Sequence, residues 1–276
     1  MPCYIRRLTP DGLQPVNYEA DSLAEAAQYE PDNGVYTVAN SFNKTQVLKI
    51  DAHLDRLEDS ARRANIPLQL DRQHLRSALR QMILEANFGD VRFRVTVSAQ
   101  SPGTFILSIE PFAPPNTALI EQGVRCITAP NSARESAETK STHWMHARKA
   151  LQEAMPSDIY DTFLLDVNGY IMEGLGANFY AIFKDELRTA NSGVLQGISR
   201  QIVLEVAPAI IHVNAKAVHK TQISRFTEAF LTSSSRGIIP VVEIDGIIIG
   251  DGKPGPNTLA LRDAYQRWVH THLEEL

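Results

Sequence analysis

The sequence predicts a two-domain α+β fold, in which a small domain of strands and helices precedes a larger, strand-rich domain. Strand and helix patterns are mixed in the first half, whereas the second half contains several short strand patterns separated by turn signals. Three prolines within Pro111–Pro115 make a stiff connector that neither a helix nor a central strand tolerates. We therefore expect a small domain over residues 1–112, a connector over 113–121 and a larger domain over 122–276, with a ligand cleft between the domains.

The first half reads as a hairpin, two helices and a second hairpin. Apolar residues three and four apart indicate each helix, and strict alternation of apolar and polar residues indicates a half-buried strand. The predicted elements are two strands over 35–50 around the turn Asn43-Lys44, helices that begin at Asp51 and after Asp71, and strands over 91–97 and 105–109 joined at Ser101-Pro102-Gly103.

The second half contains shorter strands, most of them paired through turns. Asn-Gly and Lys-Asp pairs between apolar segments are typical of hairpins. The predicted elements are a strand over 124–129, a helix after Ser141, hairpins at Asn168-Gly169 and Lys184-Asp185, and a helix that begins near Gly197.

Composition excludes several classes of protein. The net charge of -5 argues against general binding to nucleic acid or anionic membranes, because both require a basic surface. Only Cys3 and Cys126 are present, so a disulfide framework or a thiolate metal site is not expected, and a reducing cytoplasm is the natural location. The N-terminus has no signal-peptide pattern, and no segment approaches the roughly 18 apolar residues of a membrane span.

Five windows carry candidate chemistry. A lysine lies in Glu138-Thr139-Lys140-Ser141-Thr142, and an arginine lies in His53-Leu54-Asp55-Arg56-Leu57. The other three are Glu173-Gly174-Leu175-Gly176-Ala177-Asn178, Leu195-Gln196-Gly197-Ile198-Ser199-Arg200 and Thr232-Ser233-Ser234-Ser235-Arg236-Gly237. In this order and spacing, from about Gly34 to the C-terminal region, the chain resembles the class IV pyridoxal-phosphate aminotransferases. This family, also called fold type IV, includes branched-chain and D-amino-acid aminotransferases and aminodeoxychorismate lyases.

The resemblance implies a role for each window. It implies a larger domain built as a pseudo-barrel and pyridoxal 5'-phosphate as the cofactor. Lys140 would form the Schiff base and move the proton, and Glu173 would face the pyridine nitrogen. The first N–H groups of a helix have no partner within it, so the helix after Gly197 suits a phosphate. The residues implied to contact the cofactor are Arg56, Lys140, Glu173, Leu195, Gly197, Ile198, Ser199, Ser233 and Ser234, whereas Asn178 resembles a structural asparagine.

The chain also departs from the family pattern on the substrate side. Tyr29–Gly34 replaces the usual approach to the first strand, and Met145 stands where branched-chain enzymes have a tyrosine. The Arg-x-His carboxylate trap of D-amino-acid enzymes has no counterpart. Tyr36, Arg92 and Arg94 are therefore the candidates for binding a substrate carboxylate, although the two arginines equally suit a solvated strand face.

The predicted function is transfer of an amino group between an amino acid, of D- or branched-chain type, and a 2-oxo acid. A lyase of the aminodeoxychorismate type and a non-catalytic protein that binds the cofactor remain alternatives. No metal is expected, because His143 and His146 have no acidic or cysteine partner at ligand spacing. The absence of a Gly-x-Ser-x-Gly motif excludes a nucleophilic hydrolase of that type. The resemblance further implies a homodimer.

Overall fold

The computed structural model describes residues 3–276, which form two compact units. The first unit contains the described part of Met1–Ala113 together with Thr139–Ala147 and His272–Leu276, and the second contains Pro114–Glu138 and Arg148–Thr271. The chain therefore returns twice to the first unit after the proline-rich connector. It does so because Ser141 pairs with Val35 of the first unit and because the last residues add a strand to its sheet.

Residues 3–113 form six strands and three helices. They are β1 (Tyr4–Thr9), β2 (Gly12–Pro15), α1 (Leu23–Ala26), β3 (Gly34–Phe42), β4 (Gln46–Leu48), α2 (Ile50–Arg63), α3 (Arg72–Ala86), β5 (Val91–Ser98) and β6 (Ser101–Pro111), with a short 3₁₀ helix at Ala27–Tyr29.

The rest of the chain contributes eleven strands and four helices. They are α4 (Thr117–Glu121), β7 (Val124–Ala129), α5 (Thr142–Glu153), β8 (Asp161–Leu165), β9 (Tyr170–Gly174), β10 (Asn178–Phe183), β11 (Glu186–Arg188), α6 (Ile198–Val206), β12 (His212–Asn214), β13 (Val218–His219), β14 (Glu228–Ser233), β15 (Gly237–Ile244), β16 (Ile247–Ile248), α7 (Pro256–Thr271) and β17 (Leu273–Glu275), with 3₁₀ helices at Ala207–Ala209 and Lys220–Arg225.

The first unit is an antiparallel sheet of seven strands in the order β17-β4-β3-β5-β6-β1-β2, with α2 packed on β3 and α3 on β1 and β6. The predicted helices and the first hairpin are confirmed. Asn43 and Lys44 both have positive φ, as a tight hairpin turn requires, and the Asp71 side chain accepts a hydrogen bond from the His74 N–H to cap α3.

Two boundaries predicted from the sequence differ in the structure. Ser101-Pro102-Gly103 lies inside β6 rather than in the turn, because Ser98 pairs with Ser101 and leaves only Ala99-Gln100 between the strands. The expected connector over 113–121 contains one helical turn, α4, whose first N–H groups are capped by the Asn116 side chain. Prolines end β6 but do not prevent a helix that begins after them.

The second unit is a closed barrel. Strands β10, β14, β15, β7, β8 and β9 pair in a ring, and the ring closes where β9 pairs with β10 through Glu173 and Asn178. We call this β9–β10 pairing the barrel closure. Its interior is filled by buried aliphatic and aromatic side chains, among them Phe163, Phe179 and Leu231. Closure leaves these six strands without free edges in the ring.

Helix α7 is capped by a buried carboxylate from β14. Glu228 Oε1 accepts hydrogen bonds from the backbone N–H and the side-chain amide of Asn257 at 3.1 and 2.9 Å, and Oε2 accepts the Thr258 N–H at 2.7 Å. A Cβ atom at Gly255 would lie 2.2 Å from the Glu228 Cδ, so the position admits only glycine. The glycine immediately before α7 is therefore explained by the cap.

We predict that Glu228→Ala lowers the free energy of unfolding by about 2 kcal/mol, because three donors, one buried and two partly buried, lose their acceptor at once. Urea unfolding measures this change. Glu121→Ala, which removes an exposed carboxylate, is the control and should cost much less. Equal losses in the two variants would show that the cap does not stabilise the fold.

Candidate active site

The Lys140 segment is fixed to the first unit by its backbone. The Lys140 N–H donates to Ser60 Oγ at 3.1 Å, and the Lys140 carbonyl accepts the Tyr36 N–H at 3.0 Å. Two residues further on, the buried Thr142 hydroxyl accepts the Gly34 N–H at 2.7 Å and lies 3.1 Å from the Gly34 carbonyl. The Lys140 amine lies 4.6 Å from the centre of the Tyr36 ring. The backbone of the segment is therefore anchored on both sides of the Lys140 side chain.

Arg56, on α2, is a cation without an acidic partner. Its Nη2 donates to Thr37 Oγ1 at 3.2 Å and approaches His53 Nδ1 at 3.4 Å, whereas its buried Nε has no hydrogen-bond partner among residues 3–276. Within these residues, no carboxylate forms an ion pair with Arg56. Desolvation lowers the pKa of Arg56 to about 10, with the Tyr36 phenol opposing that change, so the guanidinium remains charged at neutral pH. Such a group is suited to binding an anion.

His53 supports this arrangement as a neutral imidazole. It is buried, and its Nδ1 lies 2.9 Å from Thr37 Oγ1. Desolvation, followed by the positive charges of Arg56 and Lys140, lowers the pKa of His53 well below its ordinary value. A neutral ring with Nδ1 unprotonated accepts the Thr37 hydroxyl hydrogen, so the Thr37 oxygen is left to accept from Arg56.

Glu173, the last but one residue of β9, is held on both carboxylate oxygens. Arg134 Nε donates to Glu173 Oε1 at 2.8 Å and the same guanidinium ion-pairs through Nη2 at 2.6 Å, while Oε2 accepts the Leu195 N–H at 3.0 Å. Arg134 Nη2 also donates to the Ala137 carbonyl at 2.6 Å. The two side chains are 7% and 5% exposed, so the pair fixes the orientation of an ionised carboxylate away from bulk water.

Asn178 connects this carboxylate to the start of α6. Its backbone pairs with Glu173 of β9 on one side and with Thr232 of β14 on the other. Its side-chain amide donates to the Leu195 carbonyl at 2.8 Å, and a Cβ atom at Gly197 would lie 2.3 Å from Asn178 Oδ1. The barrel closure therefore places Glu173, Leu195 and the N-terminus of α6 beside one another.

The N-terminus of α6 has free donor capacity. Gly197 precedes the helix without a side-chain cap, so the N–H groups of Ile198 and Ser199 point out of the helix start. Ser199 is buried, and its Oγ lies 2.9 Å from the Tyr265 hydroxyl. Helix α6 also packs on β14, the strand that ends at Ser233.

The turn between β14 and β15 contains the other two predicted phosphate contacts. Ser233 is the last residue of β14, its Oγ accepts from Arg236 Nε at 2.9 Å, and Ser234 is half-buried in the turn. The second unit thus brings Glu173, Leu195, Gly197, Ile198 and Ser199 together and places Ser233 and Ser234 on a neighbouring strand end, whereas Lys140, Tyr36 and Arg56 belong to the first unit.

The structure argues against the substrate role expected for Arg94. Its side chain is only 5% exposed and is paired with Glu30, with Nε 2.6 Å from Oε1, and Nη1 donates to the Leu23 carbonyl at 2.8 Å. Glu30 also accepts the Thr96 hydroxyl. Because Glu30 belongs to the unusual segment Tyr29–Gly34, that departure from the family pattern is explained by the ion pair with Arg94.

Arg92 also has an acidic partner, since Nη1 lies 3.4 Å from Glu110 Oε1 at the sheet surface. Tyr36 is buried beside Lys140. The sequence analysis assigned no role to Arg134, Thr37, His53 or Tyr265. Only His53, the first residue of the Arg56 window, carried a signal that could have identified it. No group of three or more His, Cys, Asp or Glu side chains in residues 3–276 is arranged to hold a metal ion.

The chain belongs to the class IV aminotransferases. A sequence model of the family described as Amino-transferase class IV matches residues 34–244. The D-alanine aminotransferase of Bacillus licheniformis is 28% identical over 254 residues, covering 87% of this chain and 89% of the relative. A branched-chain-amino-acid aminotransferase of Pseudomonas aeruginosa is 27% identical over 240 residues, covering 80% and 78%. Pyridoxal phosphate is the cofactor of this class and transamination its reaction, so the protein is an aminotransferase.

Solved structures confirm fold type IV. A branched-chain amino acid aminotransferase from Escherichia coli has a TM-score of 0.79 at 20% identity and covers 100% of this chain and 99% of its own. A putative branched-chain amino acid aminotransferase from Thermotoga maritima has a TM-score of 0.78 at 24% identity and covers 96% of both chains. In residues 3–276, no helix has the length and apolar composition needed to cross a membrane.

The side chains present fit this cofactor. A phosphate requires donors and positive charge. The first unit offers the buried guanidinium of Arg56, whose Nε has no hydrogen-bond partner within residues 3–276, and the second unit offers the uncapped start of α6. A protonated pyridine nitrogen requires an anion, which Glu173 provides.

We predict that His53 makes the stability of the protein depend on pH. Its folded pKa lies well below the value of 6.5 taken for an unfolded histidine, so only the unfolded chain binds this proton below pH 6.5. The free energy of unfolding should then fall as the pH drops from 6.5, by at most about 1.4 kcal/mol per pH unit from this residue. His53→Gln should remove that slope in urea unfolding, whereas the exposed His270→Gln should retain it. Parallel slopes for all three proteins would contradict a neutral His53.

Proposed function

We propose that Lys140 and Glu173 are the catalytic residues of an amino-group transfer between an α-amino acid and a 2-oxo acid. The observation that carries this proposal is the barrel closure, where Asn178 joins Glu173, Leu195 and the start of α6 through hydrogen bonds. These hydrogen bonds hold together three groups of the second unit: Glu173 for the ring nitrogen, Leu195 for the ring face and the start of α6 for the phosphate.

Each residue has a distinct part in the proposed chemistry. When bound, pyridoxal phosphate supplies an electron sink for the negative charge that develops at the substrate α-carbon. Glu173 would provide a negative charge for the ring nitrogen, and Arg134 together with the Leu195 N–H prevents that carboxylate from rotating away. Leu195 would provide an apolar side chain for the ring and exclude water from it.

The Lys140 amine would hold the cofactor, and the same amine would carry a proton to or from the substrate α-carbon. The anchored backbone and long side chain of Lys140 suit both tasks, because the amine has to travel while its point of attachment stays constant. Tyr36 lies beside the amine and restricts its path.

In the second unit, the N–H groups of Ile198 and Ser199, the Ser199 hydroxyl and the Ser233–Ser234 turn would donate to the phosphate, and in the first unit Arg56 would supply positive charge for it. Support comes from the positive charge of Arg56, which has no acidic partner within residues 3–276, and from the uncapped helix start. Thr37 and neutral His53 orient the guanidinium.

The structure does not single out a cation for the substrate carboxylate, so the amino donor is identified by experiment. Arg94 and Arg92 have acidic partners of their own, so a substrate carboxylate needs other donors, and primary amines without a carboxylate belong in the test. A panel of D- and L-amino acids and primary amines, each with pyruvate or 2-oxoglutarate, identifies the donor from the amino product formed. Pyruvate released from an aminodeoxychorismate-type substrate without any 2-oxo acid would instead indicate the lyase alternative.

We also propose a homodimer in which the partner subunit helps to complete each site. Family membership supports it, and sedimentation at assay concentration tests it. A fully active monomer would refute it.

We predict that Lys140→Ala abolishes covalent attachment of the cofactor and reduces transamination by several orders of magnitude, because one amine provides both attachment and proton transfer. Borohydride reduction followed by peptide mapping measures the attachment. Lys149→Ala, which removes an exposed lysine of the same helix region, is the control and should behave as wild type. A label on any lysine other than Lys140 would contradict the proposal.

A further inference from the structure

Tyr265 is a buried phenol that contacts the proposed phosphate site without belonging to it. It lies on α7, and its hydroxyl is 2.9 Å from Ser199 Oγ at the start of α6. Its ring lies beside Gly237, the first residue of β15, where an added Cβ atom would be 3.4 Å from Tyr265 Cε1. The side chain therefore contacts the start of α6 and lies beside the first residue of β15, which follows the proposed phosphate-binding turn.

The number of available acceptors determines which hydroxyl donates in the hydrogen bond between Tyr265 and Ser199. A buried phenol O–H without an acceptor is costly, and Ser199 Oγ is the side-chain partner of Tyr265 within residues 3–276. If Ser199 donated to Tyr265, the phenol hydrogen would have no acceptor. Tyr265 therefore donates, and the single hydrogen of the Ser199 hydroxyl is left for another acceptor.

That acceptor is missing from the described protein atoms. Ser199 is only 3% exposed, and within residues 3–276 its hydroxyl has Tyr265 as its side-chain partner. The hydroxyl lies at the N-terminal end of a nine-residue helix whose preceding residue, Gly197, provides no side-chain cap. An anion there would accept both the backbone N–H groups and the Ser199 hydroxyl.

We propose that Tyr265 is a positioning residue for the cofactor phosphate, which fixes the Ser199 hydroxyl with its hydrogen directed toward the phosphate. This inference rests on the proposed function, in which the start of α6 binds that phosphate. Burial raises the pKa of Tyr265, so the phenol keeps its hydrogen throughout the physiological pH range. Without the phenol, the serine hydroxyl can rotate and has to be ordered when the phosphate binds.

The experiment measures the dissociation constants of pyridoxal phosphate and of pyridoxal, which lacks the phosphate, from the apoenzyme. Three variants are compared, Tyr265→Phe, Ser199→Ala and the double variant. We expect Ser199→Ala to raise the dissociation constant of pyridoxal phosphate about tenfold and Tyr265→Phe to raise it about threefold to tenfold. The double variant should be no weaker than Ser199→Ala, because Tyr265 acts through Ser199. Pyridoxal affinity should stay unchanged throughout.

Tyr180→Phe is the matched control. It also removes a buried phenol hydroxyl from the second unit, one that bonds Thr232 Oγ1 at 3.3 Å and not Ser199. We expect it to leave both dissociation constants unchanged. Urea unfolding of each apoenzyme checks that the variants are folded, and phenylalanine retains the ring that packs beside Gly237. Should Tyr265→Phe not fold, the phosphorus NMR shift of bound cofactor in Ser199→Thr and wild type tests whether the hydroxyl is held in one orientation.

The dissociation constants of the variants distinguish a failure of the proposed phosphate site from a failure of the role of Tyr265. No effect of Ser199→Ala on either ligand would overturn the Ser199 hydroxyl as a part of the proposed phosphate site, and the role of Tyr265 with it. Weaker binding in Ser199→Ala but not in Tyr265→Phe, or losses that add in the double variant, would overturn the role of Tyr265 alone. Equal weakening of pyridoxal and pyridoxal phosphate by Tyr265→Phe would also overturn it, because a general packing defect does not distinguish the phosphate. A phosphorus shift in Ser199→Thr unlike that of wild type would count against a fixed hydroxyl.

Discussion

The barrel closure is the constraint on which the arrangement of the second unit depends. Strands β9 and β10 are joined by the short turn Leu175–Ala177, and their pairing through Glu173 and Asn178 completes the ring of six strands. The Glu173 carboxylate and the Asn178 amide are thus set in register by the same backbone contact. Any change in that register would move Glu173 relative to the segment that leads into α6.

The Asn178 side chain connects the barrel closure to the segment that leads into α6. Its amide reaches the Leu195 carbonyl, and its oxygen lies so close to Gly197 that no side chain can be accommodated there. The Leu195 N–H returns to Glu173, so a loop outside the barrel is bonded to the residues on both sides of the closure. Buried polar networks of this kind specify one geometry, because each partially satisfied alternative costs free energy. The same argument explains why Glu173 needs Arg134: an unpaired carboxylate in this position would be expensive to bury.

Local pattern predicted most of the elements, because helices and hairpins are encoded by neighbouring residues. The Asn43-Lys44 turn, the Asp71 cap and the strand over 124–129 are examples. Resemblance to a family supplied the candidate site residues, and their roles remain proposals. Long-range side-chain pairs could not be predicted. Arg94 with Glu30 and Ser199 with Tyr265 are far apart in sequence and have no periodic relation, so Arg94 looked like a free cation and Tyr265 like an ordinary core residue. The final strand, β17, was missed because Leu273–Glu275 is too short to show alternation.

The central claim is that Asn178 organises the cofactor site and does not merely stabilise the barrel. The most direct measurement compares the affinity of apoenzyme for pyridoxal phosphate in Asn178→Ala and Thr189→Val, each of which removes a buried side-chain hydrogen bond to a backbone carbonyl at 2.8 Å. Both should lose similar stability in urea unfolding, by about 1–3 kcal/mol. Only Asn178→Ala should raise the dissociation constant of the cofactor, by about tenfold or more. An unchanged dissociation constant in Asn178→Ala, or equal increases in both variants, would contradict the account.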